Sequence, residues 1–125
     1  MRWKYETDEN PKRKHHWSED YAGFVKVGDT LVGKCPGNLS MQDCESLLNT
    51  GISWHPDRWR KNYPKRIYNI RDGVVYRATP TVGGVSYHGF PERPEQFPAE
   101  IEPQLLQLAD QLGCGNEVRK WLKES

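Results

Sequence analysis

The sequence predicts an α+β fold, an antiparallel β-meander with helices packed on one face. Three observations lead there. Two runs rich in β-branched and aromatic residues, 65–71 and 74–79, flank Asp72-Gly73, the strongest two-residue hairpin signal in the chain. Two stretches, beginning at Ser40 and Ile101, carry apolar residues at helical spacing. The strands gather in the middle of the chain instead of alternating with helices, which favours antiparallel pairing over βαβ units.

Taken in order, residues 1–20 are polar and charged, with aromatics at Trp3, Tyr5 and Trp17. They read as an N-terminal arm that is poorly ordered or docks through those three rings. Residues 21–125 read as one α+β domain of ordinary size. Its first element is a hairpin, residues 22–27 and 30–34 around Gly28-Asp29. A helix follows, in which Ser40 caps, Asp43 completes the cap, and Met41, Cys44, Leu47 and Leu48 form an apolar face ending at Asn49-Thr50-Gly51. Residues 53–64 read as a long connection punctuated by Pro56 and Pro64. The Asp72-Gly73 hairpin comes next, then a third strand over residues 85–90. Pro91, Pro94 and Pro98 keep the chain irregular until Ile101, Leu105, Leu108, Ala109 and Leu112 define a helix stopped by Gly113. Asn116 is placed to cap a last short helix that turns Val118, Trp121 and Leu122 inward.

Composition narrows the function classes. The hydrophobic fraction is only 35%, but five Trp, six Tyr and three Phe supply bulky groups for a core. No apolar run approaches the ~20 residues a membrane-spanning helix needs, and the first residues lack a signal-peptide pattern. The expectation is a cytoplasmic protein without a membrane partner. Three cysteines, Cys35, Cys44 and Cys114, are an odd number without a Cys-x-x-Cys spacing. Reduced thiols, no metal site and no cofactor are therefore expected. A net charge of +1 hides an asymmetry. Residues 54–77 hold seven Lys or Arg against Asp57 and Asp72, a net of +5; residues 92–125 hold four against seven Asp or Glu, a net of −3. A basic middle suits a polyanionic partner.

Strand parity decides which side chains can cooperate. With Asp72-Gly73 as a two-residue loop, one face of the hairpin holds Ile67, Asn69, Val74, Tyr76 and Ala78 and reads as the core side. The other holds Arg66, Tyr68, Ile70, Val75, Arg77 and Thr79 and reads as an exposed basic surface. The third strand brings Ser86, His88 and Phe90 to that basic face in the economical register; a slip of one residue would turn His88 inward against Tyr76. An imidazole beside two guanidiniums and hydroxyl side chains suits phosphodiester cleavage by the neighbouring 2′-hydroxyl of RNA. His88 would be the acid or base, Arg77 and Arg66 would hold the phosphate, and Tyr68 or Thr79 would assist. The preceding segment interleaves cations with rings in Arg58, Trp59, Arg60, Lys61, Tyr63 and Lys65, a pattern that grips phosphates and stacks unpaired bases. The structural alternatives are a strand histidine that merely hydrogen-bonds, and a loop whose indoles pack on the core.

Residues 40–90, comprising the Ser40 helix, the 65–79 hairpin and the 85–90 strand, resemble the small bacterial ribonuclease toxins of the barnase, EndoU, colicin and RelE-like group. The likeness lies in size, in a helix preceding a short antiparallel sheet, and in an Arg/His/Tyr/Thr cluster on the sheet. The resemblance implies a metal-independent endoribonuclease that binds RNA. The competing expectation is a non-catalytic binding protein, such as an immunity protein, inhibitor or adaptor, whose acidic C-terminal third meets a cognate protein partner.

Overall fold

The computed structural model describes residues 3–6, 22–27, 30–35, 39–93 and 98–123. Trp17, the Gly28-Asp29 turn and Pro94 lie outside them. The element order is β1 (Lys4–Tyr5), β2 (Gly23–Val27), β3 (Thr30–Lys34), α1 (Met41–Asn49), β4 (Ile52–Trp54), β5 (Arg66–Arg71), β6 (Val74–Val82), β7 (Ser86–Pro91), α2 (Glu102–Leu112) and α3 (Gly115–Lys123). A short 3-10 turn, Ala99–Ile101, leads into α2. The main sheet runs β1-β7-β6-β5-β4, and β2-β3 form a separate hairpin. The fold is α+β, with the meander β5-β6-β7 at its centre.

The hairpin register follows from the turn. Asp72 and Gly73 both take positive φ, 52° and 76°, as a two-residue loop matched to strand twist requires. Arg71 then faces Val74, Ile70 faces Val75 and Tyr68 faces Arg77, as parity anticipates. On the next strand Thr79 faces His88 and Arg77 faces Phe90, with an irregularity between Pro80 and Val82. Pro80 has no N–H to give the ladder, which suits it to such a site.

Ser40 and Asp43 cap α1 reciprocally: the Asp43 N–H donates to Ser40 Oγ at 3.0 Å, and the Ser40 N–H donates to Asp43 at 3.1 Å. This is the capping box the sequence predicts. Cys44 and Leu48 turn inward, whereas Met41, expected beside them, is exposed. α1 lies on the face of Ile67, Ala78 and Tyr87, which Tyr5 completes. A side chain at Gly51 would meet the Tyr68 carbonyl oxygen at 2.6 Å and an Ile67 methyl at 2.7 Å. Only glycine lets the end of α1 approach β5 so closely.

Two strands extend the meander. Ile52–Trp54, read from sequence as the end of a turn and the start of a connection, pair with β5 as an antiparallel edge strand. Lys4 and Tyr5 pair in parallel with β7, making the sheet mixed. Trp3 exchanges two hydrogen bonds with the Asn49 side chain, at 2.7 and 3.0 Å, and its ring meets Tyr87 edge-on. Trp3 and Tyr5 thus dock on the domain.

The helices divide between the two faces. The sequence places α1 and α2 together on the Ile67, Val74 and Ala78 side; α2 and α3 instead cover Tyr68, Ile70 and Val75 with Ile101, Leu105, Ala109 and Val118. The face expected to be exposed and basic is therefore buried over half its extent. Ile70 and Val75 are the physical reason: two apolar side chains on that parity need a cover, and the acidic helices at the C-terminus supply it. Gly113 ends α2 in the left-handed region at φ 81°. α3 starts at Gly115, so Asn116 sits in its first turn and not at the cap position. Arg119 then clamps α3 to α2 through both oxygens of Asp110, at 2.8 and 2.9 Å.

Candidate functional site: the open end of the meander

Cross-strand register sorts the α2-facing side of the sheet into rows. Ile70, Val75 and Glu92 form the first; the Glu92 N–H continues the ladder by donating to the Val75 oxygen at 3.0 Å. The second is Ile52, Tyr68, Arg77 and Phe90. The third is Trp54, Arg66, Thr79 and His88, in which Arg66 reaches Thr79 by extending the β5–β6 register one residue. The helices seal the first row and reach Tyr68, Ile52 and Trp54. Exposure rises from there: Glu92 is 1% exposed, the Arg77 side chain is 21% exposed, and Thr79, Thr81, His88 and Phe90 are half-buried.

Several polar groups here are held by one another. Arg77 Nη1 lies 3.0 Å from Glu92 Oε2, and the guanidinium lies 4.6 Å from the centre of the Phe90 ring. Burial lowers the Arg77 pKa, and the Glu92 carboxylate opposes that shift. Arg66 Nη1 donates to the Tyr68 hydroxyl at 3.1 Å. Burial raises the Tyr68 pKa while Arg66 pulls it back. His88 Nδ1 and Thr81 Oγ1 are hydrogen-bonded at 2.7 Å, and the His88 ring lies 6.3 Å from that of Phe90. A continuous path of contacts thus joins Arg66, Tyr68, Arg77, Phe90 and His88.

The sequence-predicted set of His88, Arg77, Arg66, Tyr68 and Thr79 shares one face. Tyr68 differs from the rest in being fully buried, and its hydroxyl accepts a hydrogen bond from Arg66. Phe90 shares the face to which parity assigns it with Ser86 and His88. Glu92 and Thr81 belong to the same group and were not anticipated, although the alternation reaches both: Ser86, His88 and Phe90 carried forward give Glu92, and Arg77 and Thr79 carried forward give Thr81. Pro91 hid the first continuation and Pro80 the second.

The basic-aromatic segment borders the third row. Arg58, Arg60 and Lys61 are exposed. Trp59 donates its indole N–H to the Tyr63 carbonyl and meets the Tyr63 ring edge-on. Trp54 donates its own N–H to Glu100. Lys65 Nζ lies 5.8 Å from the Trp54 ring and 5.9 Å from that of Trp59, and the Arg66 guanidinium lies 5.2 Å from Trp54. The indoles, expected to stack bases, are engaged in holding cations and shaping the loop.

Among the described residues, no three His, Cys, Asp or Glu side chains converge as a metal site, and no helix is long and apolar enough to cross a membrane. All three thiols are free, with Cys35 and Cys44 buried. Burial raises both thiol pKa values, that of Cys35 to about 12, which suppresses the reactive thiolate. Comparison with protein-family models, curated proteins and solved structures gave no match.

Proposed function

We propose that this protein is an RNA-binding, metal-independent endoribonuclease of the toxin type, acting at the open end of the meander. The observation that carries the reading is the register opposing Thr79 and His88, on the face that also bears Arg77 and Arg66. In the proposed reaction the 2′-hydroxyl oxygen attacks the adjacent phosphorus and the bond to the 5′-oxygen breaks. One proton leaves the 2′-hydroxyl and one arrives at the 5′-oxygen. His88 Nε2 handles one of these transfers, since Thr81 engages Nδ1, and water handles the other. Arg77 and Arg66 stabilise the charge growing on the phosphate oxygens, and Thr79 donates to the same group. Glu92 holds Arg77 in place, and Tyr68 does the same for Arg66. The basic loop, through Arg58, Arg60, Lys61 and Lys65, binds the flanking strand. The likeness to the small bacterial ribonuclease toxins supports this reading, and a cytoplasmic RNA would be its substrate.

The test is cleavage of single-stranded RNA in excess EDTA, with the products analysed for a 2′,3′-cyclic phosphate. Cleavage that leaves this end supports the reading; absence of cleavage by folded protein overturns it. The second reading is a non-catalytic protein that binds a basic partner. The exposed acidic residues Glu100, Glu102, Asp110 and Glu117 on and beside α2 and α3 favour it. Induced expression separates the two, because a ribonuclease arrests growth and an inhibitor does not.

A further inference from the structure

We infer that Lys65, held against the Trp54 and Trp59 rings, forms a phosphate subsite that draws a single-stranded RNA across the strands of the sheet, away from His88 toward β4. The inference rests on the ribonuclease reading for the identity of the strand, and it specifies which way that strand runs and how long it must be.

Three observations carry it. The first is the placing of the Lys65 ammonium, 5.8 Å from the Trp54 ring centroid and 5.9 Å from that of Trp59. Among the described residues no ion pair joins Lys65 to a carboxylate, and its ammonium lies against the Trp54 and Trp59 rings. The second observation is alignment. Trp54, Arg66, Thr79 and His88 stand in one cross-strand row, so the subsite lies three strand spacings from His88, roughly 14 Å. That span exceeds a single nucleotide. The third is the position of the helices. α2 and α3 close the path along the strands over Ile70 and Val75, leaving the row itself as the open direction.

The chemistry is that of a phosphodiester backbone, recognised as charge. With both indoles engaged by cations, base stacking adds little, and binding at this subsite should be indifferent to sequence. A dinucleotide bound at His88 would not reach Lys65, whereas a longer strand would.

The experiment measures binding of a non-cleavable 2′-O-methyl single strand, long and dinucleotide versions in parallel, over a range of salt. Lys65→Met keeps the aliphatic stem between the indoles and removes the charge; Lys65→Arg restores the charge. For the long strand, Lys65→Met should reduce the salt slope by ~0.7, the value for one phosphate contact on a single strand, and Lys65→Arg should recover it. The dinucleotide should show no difference between the variants. An unchanged slope in a folded Lys65→Met protein overturns the subsite, as does an equal effect on the dinucleotide. Because the probe is not cleaved, the outcome is separate from catalysis: Lys65-dependent binding of this probe together with no cleavage of unmodified single-stranded RNA overturns the ribonuclease reading and retains the subsite.

Discussion

Arg77 and Glu92 are the residues on which the site depends most. A carboxylate at 1% exposure with an arginine 3.0 Å away is a nearly dry ion pair, and such pairs contribute little net stability yet cost a great deal when one partner is removed. Full burial would set that cost at ~3–5 kcal/mol; with the Arg77 side chain 21% exposed, Glu92→Gln should destabilise by about 2–3 kcal/mol. The double variant Arg77→Leu/Glu92→Leu should recover most of that loss in urea denaturation while remaining inactive on RNA. A double variant no more stable than Glu92→Gln would show that the pair is not the source of the cost. Neither partner announces itself alone in the sequence. Arg77 is legible through its place opposite Tyr68, and Glu92 only by following strand parity past Pro91.

At the scale of the element, α1 shows how local chemistry becomes a pH dependence. The cap to Ser40, its backbone N–H above all, and then Arg71 hold the Asp43 carboxyl below its usual range. A carboxyl depressed in the folded state stabilises at pH values above its unfolded pKa of ~3.9, and that contribution is lost as pH falls through the folded value. Asp43→Asn should therefore melt at lower temperature than the wild type near neutrality, and the gap should close below about pH 4. A gap that persists into acid would assign the effect to packing instead. The cap and the β5–β6 turn were readable because each is written within four residues: Ser40 to Asp43, and Arg71-Asp72-Gly73-Val74. β4 and β1 were not. Ile52–Trp54 and Lys4–Tyr5 are too short to show a period, and their pairing depends on partners far along the chain.

At the scale of the molecule, the sheet has two covered faces and one open end. Periodicity found the helices, and parity found which residues share a face. Neither could assign helix to face, because Ile67 with Ala78 and Ile70 with Val75 are comparable apolar patches on opposite sides. Topology settled it: α1 precedes β5 and packs with the N-terminal strand, while the acidic C-terminal pair returns to the other face. What the helices leave uncovered is the end carrying Arg66, Arg77, Thr79, Thr81 and His88, and the proposed chemistry depends on that opening. The most direct test is single-turnover cleavage of single-stranded RNA in EDTA by wild type and His88→Ala, with circular dichroism confirming that both are folded. The wild type should cleave, and His88→Ala should be slower by at least ~100-fold, the range for losing an acid–base group; equal rates in the two folded proteins, or no cleavage by either, would contradict the account.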